Sequence, residues 1–277
     1  MVRLSIGVSG NDFPDAWYIF VASQGFCART HTMAVEVLTS SFANVAARVE
    51  MTRRGLNLVS PWYVRAVHKA RIIKGVNVGD VKKSWDVLRT VEFLDQNVTR
   101  SSSILDIGAY ASEILCILYK IGFSNLTGID LDPRLTWMPH AQSICYLQGD
   151  FTNTGFPANS FRAVTAVSVL EHGFCSDKVL AEVSRILMPG GYFIGSIDYW
   201  PEKIDTTGLT AFGLEWRIFS QTELLELVNQ AGQYSLLPVG KLNLEAPEKT
   251  IRWLGKDYTF AWFALRKTLT KGASVWK

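Results

Sequence analysis

Two carboxylates and a glycine stand where short apolar runs end, and their spacing suits a bound ribose. Asp106 and Gly108 close the run Ser103–Ile107, and Asp130 follows the next run, Leu126–Ile129. Glycine lets the backbone turn sharply and pass close to a ligand. A carboxylate about twenty residues further on, at the end of the next strand, is placed to accept hydrogen bonds from two ribose hydroxyls. The pattern predicts either a carboxylate that binds ribose at Asp130 or an ordinary solvated loop residue at that position.

A third carboxylate follows the next apolar run. Asp150 comes after Ile144–Leu147 and is followed by Phe151. A carboxylate there can accept a hydrogen bond from an exocyclic amine, and a neighbouring backbone N–H can donate to a ring nitrogen. These two contacts would recognise adenine without involving phosphates. Asp132 has a different predicted role, because it precedes Pro133 and is suited to cap a helix.

The elements that must position these residues alternate after residue 100. Short apolar runs separated by helical segments predict βαβ units and a mostly parallel sheet, with helices on both faces. The predicted strands are Ser103–Ile107, Leu126–Ile129, Ile144–Leu147, Ala163–Ser168 and Tyr192–Ile197. The predicted helices are Ser112–Ile121, Pro133–Met138, Asp177–Leu187 and Gln221–Ala231. Two final runs, Ser235–Val239 and Thr259–Leu265, are predicted to pair across a long loop, with the last strand antiparallel.

Three further helices are predicted ahead of the alternating region. They span His31–Arg54, Pro61–Lys74 and Ser84–Asn97. Ser84 is expected to be the N-cap of the third helix, and Asp86 suits its first turn. The sequence therefore divides into a helical N-terminal extension over residues 1–98 and an α/β domain over residues 99–277.

Composition argues against several classes of protein. The net charge of +3 predicts no dedicated nucleic-acid surface, and no apolar run is long enough for a membrane helix. The four cysteines lack the spacing of a zinc or redox site, so no metal is expected. No cleaved signal is expected either. We predict a cytoplasmic protein whose oligomeric state the sequence leaves open.

Taken in order, five stretches resemble class I S-adenosylmethionine-dependent methyltransferases, within the broad group that acts on small molecules. The stretches are ILDIGAY (104–110), LTGIDLDP (126–133), LQGDF (147–151), FRAVTAVSVLEH (161–172) and LMPGGYFIGS (187–196). The resemblance covers about residues 100–265. It implies a Rossmann-like seven-stranded sheet, mostly parallel, and S-adenosyl-L-methionine as cofactor. A looser resemblance links the chain to methyltransferases of polysaccharide or secondary-metabolite pathways.

The resemblance also implies roles for individual residues. The methionine end of the cofactor should meet Asp106 and the backbone of Gly108, Ala109 and Tyr110, near Ser168. The ribose should meet Asp130 beside Leu131, and adenine should meet Asp150 and Phe151. The acceptor is expected to be a small metabolite or a sugar, methylated on a hydroxyl or an amine.

His172 is the candidate catalytic base, because it follows the fourth strand and imidazole titrates near neutrality. The alternative is that Glu171 and His172 only shape their loop. Tyr199, Trp200, Glu215 and Trp216 are candidates for the acceptor pocket, and residues 205–219 are suited to a lid. Trp85 and Asp86 are candidates to cover the cofactor from the N-terminal helix, and core packing is the alternative for Trp85.

The loop after the first strand departs from the pattern of this class. Tyr110 and Ser112 stand where second and third glycines are usual. A left-handed backbone at Tyr110 would cost about 1–3 kcal/mol. The same substitutions argue against a dehydrogenase, whose pyrophosphate needs all three glycines. They leave open a non-catalytic protein that binds the cofactor, and a nucleic-acid methyltransferase is the least favoured alternative.

Overall fold

The computed structural model describes residues 33–70, 72, 75–173 and 175–268. Its strands are β1 (Met33–Val37), β2 (Ser103–Ile107), β3 (Asn125–Asp130), β4 (Cys145–Gln148), β5 (Phe161–Val167), β6 (Leu187–Tyr199), β7 (Thr210–Ala211), β8 (Leu214–Glu215), β9 (Leu236–Pro238), β10 (Lys241–Leu242), β11 (Ile251–Trp253) and β12 (Lys256–Lys267). Its α-helices are α1 (Ser41–Arg53), α2 (Trp62–Lys69), α3 (Ser84–Asn97), α4 (Ile114–Lys120), α5 (Ser176–Ile186) and α6 (Gln221–Gln233). Two 3-10 helices span Val81–Lys83 and Pro133–Trp137.

The central sheet has the order β10-β1-β12-β6-β5-β2-β3-β4, and β9 and β11 also pair with β12. Strands β2 to β6 are mutually parallel where they pair, whereas β12 runs antiparallel to β6. The chain moves outward from β2 through β3 to β4 and then returns to β5 on the other side of β2. This reversal between β2 and β5 is the position at which open α/β sheets bind ligands. The predicted fold class, with its antiparallel last strand, is confirmed.

Side chains of the sheet alternate between two apolar layers. On β12, Phe260 and Trp262 belong to the layer shared with α3 and α4. Their neighbours Ala261 and Phe263 belong to the layer shared with α5 and α6. Because successive strand residues point to opposite faces, this alternation shows that both faces of the sheet are covered.

The predicted helix His31–Arg54 is wrong in its first part. Residues 31 and 32 lie outside the described residues, and Met33–Val37 forms β1, which pairs antiparallel with β12. Helix α1 begins only at Ser41 and is capped by Ser40, whose side chain accepts a hydrogen bond from the Ala43 N–H. The strand and the short pieces β9 to β11 enlarge the sheet beyond the seven strands expected.

The third helix spans Ser84–Asn97 as predicted, but Ser84 is not its N-cap. The 3-10 turn Val81–Lys83 runs directly into the helix, so Ser84 has helical backbone angles and Lys83 takes the cap position. The Ser84 hydroxyl instead accepts a hydrogen bond from Arg48 Nε at 2.9 Å. This bond ties α3 to α1. Among the helices of the described residues, none has the length and apolarity needed to cross a bilayer.

Candidate active site

A cavity of about 580 Å³ lies at the carboxyl ends of β2, β3 and β5, where the strand order reverses. Residues that follow these strands form one wall, including Gly108, Tyr110, Asp130, Leu131 and Ser168. The N-terminal segment forms another wall with Arg65, Gly79, Asp80, Lys83 and Val87. Phe151, Val167, Val169, His172, Phe212 and Leu214 complete much of the lining. A volume of this size is in the range of sites that hold a cofactor or a drug-sized ligand.

Asp130 stands at the end of β3 and holds two adjacent loops. The Tyr110 N–H donates to its Oδ2 at 3.0 Å, and the Asp132 N–H donates to its Oδ1 at 2.9 Å. A carboxylate has about four lone-pair positions, so both oxygens keep the capacity to accept another hydrogen bond. The two backbone donors therefore fix the orientation of a carboxylate that faces the cavity.

The turn after β2 is shaped by Gly108. Its φ is +72°, and a Cβ built there would lie 2.5 Å from Val169 Cγ2. The other left-handed residue of this loop is Ala111, with φ +63°, whereas Tyr110 avoids that region. The variant loop thus places its strain on a small residue, and the Tyr110 ring lies under the Arg134 guanidinium at 4.7 Å.

Substituting Gly108 tests whether the close packing of this turn against Val169 is needed for cofactor binding. We expect Gly108→Ala to lower the melting temperature and weaken cofactor binding at least tenfold, because a Cβ is strained by about 1–2 kcal/mol at this φ and also collides with Val169. The matched control is Gly155→Ala, which has φ +71° and nothing within 4 Å of the added Cβ. Equal effects of the two substitutions on cofactor binding would show that the close approach is irrelevant.

Near the ends of β2 and β5, two buried oxygen atoms have no hydrogen-bond partner in the described part of the chain. They are Asp106 Oδ2 and Ser168 Oγ. The other Asp106 oxygen, Oδ1, accepts a hydrogen bond from the Thr165 hydroxyl at 2.6 Å. Burial raises the pKa of Asp106 to about 7, against the opposing effect of the Thr165 and Ser112 hydroxyls. Since buried polar groups are normally satisfied, these atoms fit the polar end of a bound molecule.

The N-terminal segment is fastened over the turn. Arg48 forms two hydrogen bonds to the buried Glu113 carboxylate, at 2.8 and 3.0 Å. The Gly79 N–H donates to the Ala111 carbonyl at 2.9 Å, and a Cβ on Gly79 would lie 2.5 Å from Glu113 Cδ. These contacts hold the backbone that carries Lys83 against the cavity.

His172 lines the same cavity as Asp130, and its ring lies among aromatic side chains. Its ring packs edge-on against Phe212, with 5.2 Å between centroids. Burial, together with the nearby Lys83 cation, lowers the pKa of His172 to about 4. The imidazole is therefore neutral at pH 7, and its Nδ1 is buried without a partner in the described chain. A neutral imidazole can accept a proton or hydrogen bond from a ligand.

Known proteins identify the region that carries this geometry. Residues 105–195 match the family described as "Methyltransferase domain". These residues run from β2 through most of β6 and include Asp106, Gly108, Asp130 and His172. Residues 105–195 belong to a class I S-adenosylmethionine-dependent methyltransferase domain. The predictions of the family and of its cofactor, S-adenosyl-L-methionine, are confirmed.

Individual relatives agree with the domain match. The sterol 24-C-methyltransferase ERG6B of Gibberella zeae is 44% identical over 159 residues, which are 52% of this chain and 40% of that protein. The chain thus spans less than half the length of this curated relative. The geranyl diphosphate C-methyltransferase of Streptomyces coelicolor A3(2) has the same fold, with a TM-score of 0.51 and 14% identity, covering 65% of this chain and 79% of that one.

The fold also occurs in a protein named for another reaction. The [4+2]-cyclase SpnF has a TM-score of 0.53 and 15% identity to this chain, and the match covers 86% of this chain and all of SpnF. At this identity the likeness extends to the fold alone. The fold of a methyltransferase domain is therefore compatible with more than one chemistry.

The structure brings most of the predicted site residues of the methyltransferase domain together. Gly108, Tyr110, Asp130, Leu131, Phe151, Ser168 and His172 all line the cavity. Asp106 and Ala109 are buried directly behind the lining, whereas Asp150 is exposed and accepts a hydrogen bond from the Thr152 N–H. Residues predicted to meet the ribose and the methionine group therefore line one cavity, whereas Asp150, predicted to meet adenine, is absent from its lining.

The residues suggested for the acceptor pocket lie elsewhere. Tyr199 is buried and donates to the Leu244 carbonyl, and Trp216 is buried with its Nε1 donating to Asp198. Trp200 and Glu215 are also absent from the lining, and Trp85 belongs to the core. The same segment of chain contributes Phe212 and Leu214 instead, from the hairpin formed by β7 and β8.

Three buried carboxylates lie close to the His172 end of the methyltransferase cavity. Asp86 accepts a hydrogen bond from Ser196 Oγ, and burial raises its pKa to about 6. Burial also raises the pKa of Asp198 to about 7. Burial and the nearby Asp198 charge raise the pKa of Glu171 well above its ordinary value. The Lys83 cation opposes all three shifts. Lys83 is thus the counter-charge between these acids and the cavity.

These carboxylates make the stability of the protein depend on pH. The folded-state pKa of Asp86 is raised from 3.8 to about 6, so the folded state binds more protons than the unfolded state between these values. Stability contributed by the neutral form is lost as pH rises through that window. We expect Asp86→Asn to melt higher than the wild type at pH 8 and equally at pH 4, by thermal denaturation. An equal difference at both pH values would contradict this origin.

Proposed function

We propose that this chain transfers a methyl group from S-adenosylmethionine to a hydroxyl or amine of a small molecule with an apolar body. The observation that carries the proposal is a cavity whose lining includes both Asp130 and His172, together with Gly108 and Ser168. When bound, the cofactor supplies an electrophilic methyl group. The chain has to bind it, orient it and receive an acceptor in line with it.

The residues fit the cofactor group by group. Asp130 offers carboxylate oxygens to two ribose hydroxyls, and its own orientation is fixed by two backbone N–H donors. The unpartnered oxygens of Asp106 and Ser168 suit the ammonium and carboxylate end of methionine. Phe151 lines the side expected for adenine, and Asp150 at the open rim is the candidate partner of its amine.

The acceptor end favours an apolar small molecule over a bare sugar. The cavity lining provides hydrocarbon and aromatic surface from Val87, Val167, Val169, Phe212 and Leu214. Sugars need many hydrogen-bond partners, and a largely apolar wall leaves their hydroxyls unpaired. The relatives named for sterol and for geranyl diphosphate act on molecules with large hydrocarbon parts, which supports the same choice here.

His172 is the group proposed to meet the acceptor. Its neutral ring can accept the hydrogen bond of an acceptor O–H or N–H, and it would take up the proton that the acceptor loses on methylation. Lys83 lies near enough to disfavour a charged ring, so proton transfer is favoured only in concert with attack.

A second candidate function is cofactor binding without methyl transfer. The low pKa of His172 makes it a weak base, and the fold is shared with a protein named as a cyclase. Incubation with methyl-labelled cofactor and a panel of phenols, aliphatic alcohols and amines separates the two functions. Label transfer to any acceptor supports the enzyme, and cofactor binding with no transfer across the panel supports the second candidate.

Calorimetry with S-adenosylhomocysteine tests the binding part of the proposal. We expect one molecule to bind per chain, with a dissociation constant on the order of micromolar. Adenosine alone should bind more weakly, because it lacks the groups that meet Asp106 and Ser168. Absence of heat at millimolar ligand would sink the proposal.

A further inference from the structure

Helix α2 presents an exposed aromatic face that no other described element covers. The helix spans Trp62–Lys69 and has no buried residue. Trp62 is 81% exposed and Tyr63 is 57% exposed, and Ile72, just beyond the helix, is 73% exposed. Three large apolar side chains exposed to water in one short segment are unfavourable for solubility. Their grouping therefore indicates a binding surface for an apolar partner.

The opposite face of the same helix is attached to the protein. Val64, Val67 and His68 are half-buried, at the spacing of one helix face. His68 Nδ1 shares a hydrogen bond of 2.9 Å with Asn77 Oδ1, and a Cβ on Gly75 would lie 2.6 Å from His68 Nε2. The exposed face of α2 is therefore held outward by defined contacts.

The charge around this helix is strongly one-sided. Residues 51–79 contain six Lys and Arg residues and no Asp or Glu, whereas the whole chain has a net charge of only +3. Within the described residues, Arg65 and Lys69 on α2 form no salt bridge. A partner for this surface must combine negative charge with an apolar interior.

The helix also lies beside the cavity. Arg65 is part of the cavity lining, and the chain continues from α2 through Asn77 to Gly79, which is hydrogen-bonded to Ala111 in the turn after β2. Whatever binds the outer face of α2 is therefore brought close to the cavity.

We propose that α2 docks the protein on the surface of an anionic phospholipid bilayer. Trp62 and Tyr63 enter the interfacial layer, where tryptophan and tyrosine are favoured. Lys69 and Arg65 lie against the lipid phosphates, in the manner of basic amphipathic helices on membranes. This docking extends the proposed function, because it would let an apolar acceptor pass from the lipid to the cavity without crossing water.

Vesicle sedimentation with the full chain tests the docking. The probes are vesicles of phosphatidylcholine alone and vesicles with about one-third phosphatidylserine, a fraction that gives a strongly negative surface. We expect the wild type to bind only the anionic vesicles. The double substitution Trp62→Ala and Tyr63→Ala should weaken that binding at least tenfold, and Lys69→Glu should weaken it several-fold.

Trp137→Ala is the matched control, because Trp137 is 46% exposed on the 3-10 helix Pro133–Trp137, outside the proposed surface. It should leave vesicle binding unchanged. The proposal is overturned if the wild type ignores anionic vesicles or if Trp137→Ala weakens binding as much as the double substitution. It is also overturned if the double substitution lowers the melting temperature markedly, which would mean that the chain itself covers these side chains.

Two other partners are distinguished by the same proteins. Tighter binding to a single-stranded RNA than to anionic vesicles would assign the surface to nucleic acid and overturn the proposal. Conversion of a dimer to a monomer by the double substitution, seen by light scattering without vesicles, would assign it to a second copy. Calorimetry with S-adenosylhomocysteine on every variant separates failure of the docking from failure of the proposed function, because cofactor binding needs no membrane.

Discussion

Asp130→Asn should weaken the binding of S-adenosylhomocysteine about tenfold to a hundredfold. The substitution keeps the size of the side chain and one carbonyl oxygen, but it removes the charge that receives two ribose hydroxyls. A hydrogen bond to a charged group contributes about 1.5–3 kcal/mol, and each 1.4 kcal/mol is a factor of ten in affinity. Calorimetry measures the change directly.

Asp132→Asn is the control for the Asp130 substitution. Asp132 also lines the cavity, but its carboxylate is occupied with the backbone and side chain of Arg134, at 2.6 to 3.2 Å. Its substitution should change cofactor affinity less than about threefold, the effect of a weak surface interaction. If the two variants bind the cofactor equally well, Asp130 does not hold the ribose.

His172→Ala should lower the turnover number about 10²–10⁴-fold while leaving cofactor affinity nearly unchanged, the effect expected from loss of a general base. The reason is that the proposal assigns His172 to the acceptor and Asp130 to the cofactor, within one cavity lined by both residues. His172→Gln separates two roles, because glutamine can orient an acceptor but cannot take its proton. Rescue by glutamine would assign His172 to orientation.

The pH dependence of turnover follows from the pKa of the same residue. Because this pKa is lowered to about 4, the ring is already neutral at pH 6, and turnover controlled by it should be level between pH 6 and 8. His140→Ala, on an exposed turn outside the cavity lining, should leave turnover intact. Full activity of His172→Ala on the best acceptor of the panel would remove the residue from the mechanism.

The elements of the fold were predictable where the local sequence pattern and the long-range packing favour the same secondary structure. Helix α3 has the bounds predicted, because its apolar residues recur at helical spacing and its neighbours pack on that face. Strand β1 was missed because Met33–Val37 consists of residues that a helix also accepts. Its extended form depends on pairing with β12, more than two hundred residues away. Strand preference is set by such partners more than by the residues themselves.

Some residues of the candidate site could also be predicted from the sequence, and others could not. Asp130 and Gly108 were predictable, because a strand end and the following turn are local features that topology brings to one edge. Arg65, Lys83, Phe212 and Leu214 were not proposed as cavity residues, since each comes from an element whose position depends on long-range packing. In the sequence, Lys83 is simply the second of two adjacent lysines. Nothing local marks Asp86 and Asp198 as buried beside it.

A crystal structure with S-adenosylhomocysteine tests the central claim most directly, because that claim is a geometry. We predict that both ribose hydroxyls lie within hydrogen-bonding distance of the Asp130 carboxylate. The amino-acid end should approach Asp106 and Ser168, and the sulfur should face the space bounded by His172 and Phe212. A structure in which the ligand binds elsewhere, or in which its ribose lies away from Asp130, would contradict the account.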